Sequence, residues 1–441
     1  MMALKSSEKN FNGEASHIEV VIEPQAIGIT PAPPKFPEGG RDGWLTLAGA
    51  TLVQFATFGY TNAFGVYQDY YVREYLTNHT PASIGWIGGA QIFFIFSIGL
   101  LTGRLFDRGY FRHLMIAGLL LQILSYFSLS FSKPGQYYQV FVSQGLGGGL
   151  SVGLFYLPSL AVVSHHFQQR RPLAMGIVAS GSALGAVLHP IMLNKLFHNS
   201  IGFHNGIRIS AGMNTVLLII ANFCMKTRLP PKKNDSNTKE SPIAFLQFLK
   251  EPAYLLQAIA GCLFVCGLFF PVFYIQLDAA VHGVDPNIAF YAIPILNAAS
   301  IPGRLLPGLI VSKYGVFNVM IFFTSVMGIL LLSMITVKDV VGVVVFAILY
   351  GFFSGGGIAM MPPLLASSAK DFNEIGTRIG LVFLFGGFAG LTATPIAGAL
   401  LTSQFHWWRP MVYAGSTMLG GALFFALSRH VLAKQKGTHI I

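Results

Sequence analysis

The chain has 441 residues, of which 53% are hydrophobic and only 10% charged, with a formal net charge of +11. Ordinary soluble domains carry about 25% charged residues, so a soluble globular protein of this length is excluded. The Lys and Arg residues sit in short clusters between long apolar runs, which excludes a nucleic-acid surface and matches the charge pattern of a membrane protein.

Residues 1–41 are polar and end in PAPPKFPEGG. They contain no apolar run long enough to insert and no cleavable signal peptide, and are expected to form a disordered cytosolic tail. Twelve apolar segments follow, at 44–68, 83–106, 112–132, 137–164, 172–195, 206–226, 252–277, 287–311, 316–336, 339–364, 375–401 and 408–430. Each is near the ~20 residues that cross a bilayer as a helix, and a lone span must satisfy its own backbone, which argues for helices. The fold class expected is all-α integral membrane, with twelve transmembrane helices in two six-helix halves, 42–226 and 252–433. A polar cytosolic linker joins them at 227–251, and 434–441 forms a short cytosolic tail.

The halves read as a tandem duplication. Shifted by 204 positions, Gly147 falls on Gly351, Gly153 on Gly357 and Pro158 on Pro362; shifted by 205, Gly181 falls on Gly386, Gly185 on Gly390 and Pro190 on Pro395. A nearly constant shift across separate segments indicates one unit repeated in the same direction. Gly145, Gly149 and Gly153 lie at i, i+4 and i+8, and Gly181 and Gly185 repeat that spacing. Such stripes let helices approach closely in lipid, and smooth glycine faces would also let them rock.

Lys and Arg counting sets the expected orientation. With the N-terminus inside, the outer loops hold only Arg73, Lys133, Lys195, Arg208, Lys338 and Arg409, so both termini are expected in the cytosol and the protein in the plasma membrane. The sequon at Asn78 then lies outside, as a candidate glycosylation site. Cys262 and Cys266 share a helix face with nothing nearby to complete a metal site, and read as buried free thiols. His165 and His166 read as a solvated pair. No metal site, cofactor or catalytic residue is expected: HExxH and Walker-type patterns are absent from the sequence.

The most specific charge pattern is the elbow Gly103-Arg104-Leu105-Phe106-Asp107-Arg108-Gly109 after the second span, repeated in degenerate form at Gly308 to Gly315. An acid and a base in a tight turn can pin neighbouring helix ends and release them again. Gly103, Asp107 and Arg108 are therefore gating candidates, with Arg171 at the start of the fifth span. This spacing, with twelve spans, resembles the signature of the major facilitator superfamily over roughly residues 42–433. Four segments are similar to the monocarboxylate porter family, especially its fungal members. They are Asp42-Gly43-Trp44, Gly59 through Tyr67 (GYTNAFGVY), Phe167 through Gly176 (FQQRRPLAMG), and Arg304-Leu305-Leu306-Pro307-Gly308-Leu309.

Arg304 also stands out on physical grounds. A guanidinium at mid-span costs about 2.5–3.5 kcal/mol on insertion scales, so it should face a protein cavity with a partner. Its planar fork suits a carboxylate, and the resemblance implies that it engages a substrate carboxylate; a fixed ion pair or carbonyl contact within the bundle is the alternative. Val66 and Ser300 stand where animal carriers of that family place a lysine and an aspartate, which argues against simple proton–lactate symport. Asn62, Tyr156, Tyr274 and Asn297 are the further substrate-binding candidates, in a cavity expected to be partly aromatic given 38 Phe and 16 Tyr. His189, just before Pro190, is the proton-coupling candidate, with a helix-packing role as the alternative.

The expected function is alternating-access transport of a small organic acid or related metabolite, with protons as a possible coupling ion and the lipid bilayer as the surrounding partner. Efflux of a fungal secondary metabolite is the alternative, and a non-transporting membrane sensor a remote one. No nucleic-acid partner is expected. The orientation is directly testable: a protease-sensitive tag on either terminus should be protected in intact cells, and Asn78→Gln should remove any glycan. Cleavage of a terminal tag from outside would invert every loop assignment.

Overall fold

The computed structural model describes residues 38–167, 170–228, 244–369, 375–401 and 406–437. The first tail up to residue 37, most of the linker and the last four residues lie outside that range. The described residues form helical rods joined by short turns. They are α1 (40–75), α2 (81–107), α3 (Phe111–Leu129), α4 (Tyr137–Val163), α5 (Arg171–Phe197) and α6 (Gly202–Cys224). The second half continues with α7 (252–281), α8 (Pro286–Tyr314), α9 (Val316–Ser333), α10 (Val340–Ser367), α11 (Ile375–Leu401) and α12 (Trp408–Lys436). Eleven of these rods hold a stretch long and apolar enough to cross a membrane by length and composition.

The first rod is the exception. The sequence predicts one continuous span over 44–68, but α1 is a chain of pieces: Gly40–Gln54, a π-helical turn Phe55–Gly59, Phe64–Tyr70 and a second π turn Tyr71–Tyr75. Between them Asn62 and Ala63 form a turn, where Asn62 Nδ2 donates to Phe58 O at 2.7 Å and Ala63 N to Tyr60 O. A side-chain amide that bonds its own backbone offers an alternative to the helical ladder, a local competition that hydrophobicity alone does not reveal. At the matching place in the second half, α7 breaks at Phe269 between Pro252–Leu268 and Phe270–Val281. Both breaks line the central cavity described below.

Caps follow the sequence. Thr80 accepts from Ser83 N with Pro81 in the first turn of α2, and Asp339 accepts from Gly342 N at the start of α10. The two elbows expected to be equivalent both turn on a glycine with positive φ, Gly109 at 89° and Gly315 at 81°, where a side chain would be strained. These glycines mark one end of the bundle; Gly135, Gly202 and Gly283 mark the other.

Glycine stripes hold each half together. A Cβ on Gly149 would sit 2.9 Å from Gln91 O, and one on Gly153 the same distance from Phe94 O, so α4 rides directly on the backbone of α2. In the second half, α10 does the same against α8: a Cβ on Gly351 would meet Leu296 O at 2.1 Å, and one on Gly355 would meet Ser300 O at 2.4 Å. The pairing by sequence shift does not carry over residue by residue. Gly147, which falls on Gly351, faces Ser125 of α3 instead. The segment Phe141–Gly148 is π-helical, and its wider turns rotate the stripe relative to the α-helical copy in α10. Gly181 and Gly185 approach Thr51 O and Phe55 O of α1, while Gly386 and Gly390 meet Val265 of α7.

The end of the linker is itself ordered. Ala244–Lys250 forms a 3₁₀-helix, and Phe248 and Leu249 pack against the core of the second half. Arg378 of α11 is fully buried there. Its Nη1 and Nη2 donate to the two carboxylate oxygens of Glu251 at 2.9 and 3.1 Å, while its guanidinium lies 4.3 Å over the Phe248 ring and 5.1 Å from that of Tyr254. The bidentate fork and the stacking explain why arginine is used.

Two outcomes test this packing. Gly351→Ala should lower the melting temperature of the purified protein, by an overpacking cost of about 1–3 kcal/mol, whereas Gly212→Ala, with nothing within 4 Å, should not. Equal melting of the two would remove the close-approach argument. Glu251→Gln should speed amide exchange across 244–250, and unchanged exchange would mean that Arg378 does not hold that turn.

Candidate functional site

The four segments singled out by resemblance come together in space. Trp44 stacks edge-on against Phe167 at 5.5 Å, Gly39 N donates to His166 O, and Arg170 N donates to Glu38 Oε2 at 3.2 Å. Gly59 in α1 abuts Gly185 in α5, with a Cβ on Gly59 only 2.8 Å from Gly185 Cα. Further along α5, a Cβ on Gly176 would lie 3.1 Å from Arg304 O of α8. The expectation that His165 and His166 are solvated is corrected here. His166 is 4% exposed and its ring Nε2 pairs with Lys226 O at 2.8 Å, while the His165 ring lies 5.3 Å from that of Phe106. The close approach of α1 and α6 to the α4 end covers them, a neighbourhood that adjacent residues in sequence do not display.

Between the halves lies a cavity of about 70 Å³, counted as room for the centres of water-sized spheres. At roughly 10–15 Å³ per water on that measure it holds a handful of waters, so a larger molecule enters only when the halves part. Rings dominate its wall: Phe58, Phe96 and Tyr156 from the first half, Phe264, Phe269 and Phe383 from the second. Tyr156 lies 5.2 Å from Phe58, 6.0 Å from Phe96 and 6.4 Å from Phe383, so the rings form one group across both halves. The polar lining is Asn62, Asn297, Ser300, Ser354 and Arg304.

Arg304 is 4% exposed. Its Nη1 donates to Ala179 O and to Ser182 Oγ, both on α5 of the opposite half. Its Nε has no partner, and among the described residues no carboxylate lies within 4 Å of it. The cation is therefore held by neutral oxygens only. Neighbouring polar side chains are turned back on their own helix: Asn297 Nδ2 donates to Ile293 O at 3.0 Å and Ser300 Oγ to Asn297 O at 2.7 Å.

Of the substrate-binding candidates, the structure brings Arg304, Asn62, Tyr156 and Asn297 into this one wall. Tyr274 lies elsewhere, stacked on Phe270 at 5.3 Å with its hydroxyl beside Gly398 of α11. His189 is fully buried outside the cavity. Its Nε2 pairs with Phe55 O at 3.1 Å, its ring lies 5.0 Å from Tyr60, and its Nδ1 has no partner. Of the gating candidates, Gly103 faces Leu157 of α4 and Arg108 is exposed on the Gly109 turn, whereas the side chains of Asp107 and Arg171 lie outside the described set. Asn78 is exposed, its Nδ2 donating to Gly135 O at 3.3 Å. Cys262 and Cys266 are free, and no group of metal-ligating side chains occurs among the described residues.

Sequence reasoning named no individual phenylalanine of the wall. The signal was present: Phe58 precedes Asn62 by four residues, and Phe264, Leu268 and Val272 repeat that spacing on α7, one helix face in each case. In a chain this rich in phenylalanine, spacing does not separate a cavity face from a packed one.

The two halves meet along α2 with α11, where a Cβ on Gly387 would lie 3.2 Å from Phe93 O, and along α5 with α8 at Gly176 and Arg304. At the Gly135 end Phe64 of α1 meets Phe273 of α7 edge-on at 6.3 Å. An enclosed cavity between two halves joined along smooth helix faces is the geometry of alternating access.

Known proteins agree with this architecture. The family profile described as Major Facilitator Superfamily matches residues 46–390. An MFS-type transporter of an Ophiocordyceps species is 37% identical over 401 residues, covering 90% of this chain and 87% of its own length. The aspyridones efflux protein of Emericella nidulans is 37% identical over 413 residues, with 93% and 82% covered, and the agnestins efflux protein of Paecilomyces divaricatus is 36% identical over 385 residues, with 87% of each. The chain, a multi-pass membrane transporter, belongs to the major facilitator superfamily.

Proposed function

We propose that this transporter exports a ring-bearing acidic secondary metabolite, with both termini cytosolic and the plasma membrane as its site of action. The observation that carries the reading is Arg304, a buried cation in an aromatic wall with only neutral oxygens around it. A desolvated guanidinium gains most from an anion, and rings stack on a conjugated one with little loss of freedom. The resemblance of Arg304 through Leu309 to the monocarboxylate porters supports a carboxylate. Neutral Val66 and Ser300 and the six rings favour a larger cargo than lactate. The efflux proteins among the relatives support the outward direction, and the Lys and Arg asymmetry supports the orientation.

For His189 the surroundings support a positioning role. Its bond to Phe55 O reaches the first residue of the π turn in α1, where a widened turn needs an outside partner for its backbone.

Counterflow in proteoliposomes with labelled carboxylic acids, from lactate to aromatic acids, tests the cargo. Wild type should move aromatic acids in preference to lactate. Arg304→Ala should reduce transport about 10- to 100-fold, from the ~1.5–3 kcal/mol of a hydrogen bond to a charged group. Arg304→Lys should not restore it, because lysine lacks the fork. Normal transport by correctly inserted Arg304→Ala would replace the anion with a neutral cargo, and a preference for lactate would remove the role given to the rings.

A further inference from the structure

We propose that Asp278 and His282, at the Gly135 end of α7, form a proton-binding dyad that couples closure of that end to proton uptake. Asp278 lies in a membrane span and its side chain is only 3% exposed. Its Oδ1 is 3.2 Å from His282 Nδ1, which donates instead to the Asp278 carbonyl at 2.9 Å, so Oδ1 itself accepts no hydrogen bond among the described residues. Among the described residues no other basic group lies within 4 Å of the carboxylate. The elements packed on this half-helix bring other titratable groups to the same end, Asp285 and Tyr291 in and before α8 and His406 and Arg409 around the start of α12, while α11 carries none over 391–401. An ionised carboxylate buried with one histidine is costly, and ionisable groups inside a span are retained where they serve ion movement.

Access and leverage come from the same half-helix. His282 is 26% exposed, so one member of the pair faces the Gly135 end while the other is enclosed. Phe270–Val281, which bears Asp278, hinges at the Phe269 break and carries Phe273, the ring that meets Phe64 across the halves. Opening that end wets Asp278 and favours its carboxylate. Closing it desolvates the group and favours the carboxylic acid, which takes one proton from solution onto a carboxylate oxygen, with the imidazole alongside. The linkage is reciprocal, so acid favours the closed end. A proton bound here is released when the end opens, so opening of that end and proton release are coupled. This rests on the alternating-access reading but not on the identity of the cargo.

The test uses full-length protein in lipid nanodiscs, with its three cysteines replaced and spin labels at exposed Tyr138 and Val341, one on each half at the Gly135 end. Distances between the labels are read between about pH 5 and 8, the range in which histidine and perturbed carboxylates titrate. Wild type should shift to shorter distances at acid pH. Asp278→Asn, a permanently neutral side chain, should hold the short distance at every pH, and Asp278→Glu should restore the response. Both variants should elute as monodisperse protein. A wild-type distance that ignores pH, or an Asp278→Asn response equal to wild type, overturns the dyad. Neither result touches the aromatic-anion reading, which the Arg304 transport assay decides separately.

Discussion

The structure depends on backbone meeting backbone. In lipid the hydrophobic effect does not draw one helix to another, so association rests on van der Waals packing and on close approach. Glycines supply it. α10 lies against the carbonyls of Leu296 and Ser300 of α8 because Gly351 and Gly355 present no side chain there. The same contact sets the cavity wall. Ser354 sits beside Gly355, Ser300 supplies the carbonyl that Gly355 meets, and Arg304 lies one helical turn further along α8. A larger residue at either glycine would move three lining groups at once.

Between the halves the same device serves a different end. Gly176 and Gly387 let α5 meet α8 and α11 meet α2 at close range. What crosses between the halves includes the Arg304 guanidinium reaching Ala179 and Ser182, the ring group around Tyr156, and the ring pairs Phe93–Phe388 and Phe64–Phe273. Rocking the halves therefore breaks a few charge-assisted hydrogen bonds and regroups aromatic rings. An anion that bonds Arg304 replaces the contacts that α5 gives up, so cargo and conformation compete for the same donor. By contrast, Arg378 and Glu251 lie within one half, where their bidentate pair ties the linker turn to α11 and has no need to part.

The breaks in α1 and α7 join these two levels. Each rod crosses the bundle as two pieces, and the break falls where the cavity lies. The inner pieces belong to the glycine-packed scaffold, α1 through its contacts with Gly181 and Gly185 of α5 and α7 through its contact with Gly386 of α11. The outer pieces carry Phe64 and Phe273, which meet across the halves. A turn at the cavity thus lets one rod be rigid on one side and movable on the other.

Much of this was legible in the chain. Apolar runs of ~20 residues, their division into six and six, and Lys and Arg clustering are properties of local composition, and a spanning helix satisfies its own backbone locally. Elbow glycines were legible because a turn of that kind is a one-residue demand, met at Gly109 and Gly315. Arg304 was legible because a charge in a span is rare and costly wherever it points. Tertiary structure alone decided which faces look inward. It brought Phe58, Phe264 and Phe383 from three helices to one wall, turned Tyr274 toward α11, buried His166 under Lys226 and turned Gly147 toward α3 through a π-helical stretch. It also placed Asp278 beside His282 in a protein interior rather than in water. The physical reason is one of range. Hydrophobicity and backbone demand act within a turn or two of the chain, whereas the direction of a side chain in an all-apolar helix is set by which neighbour comes close, and in lipid that depends on packing summed over the whole bundle.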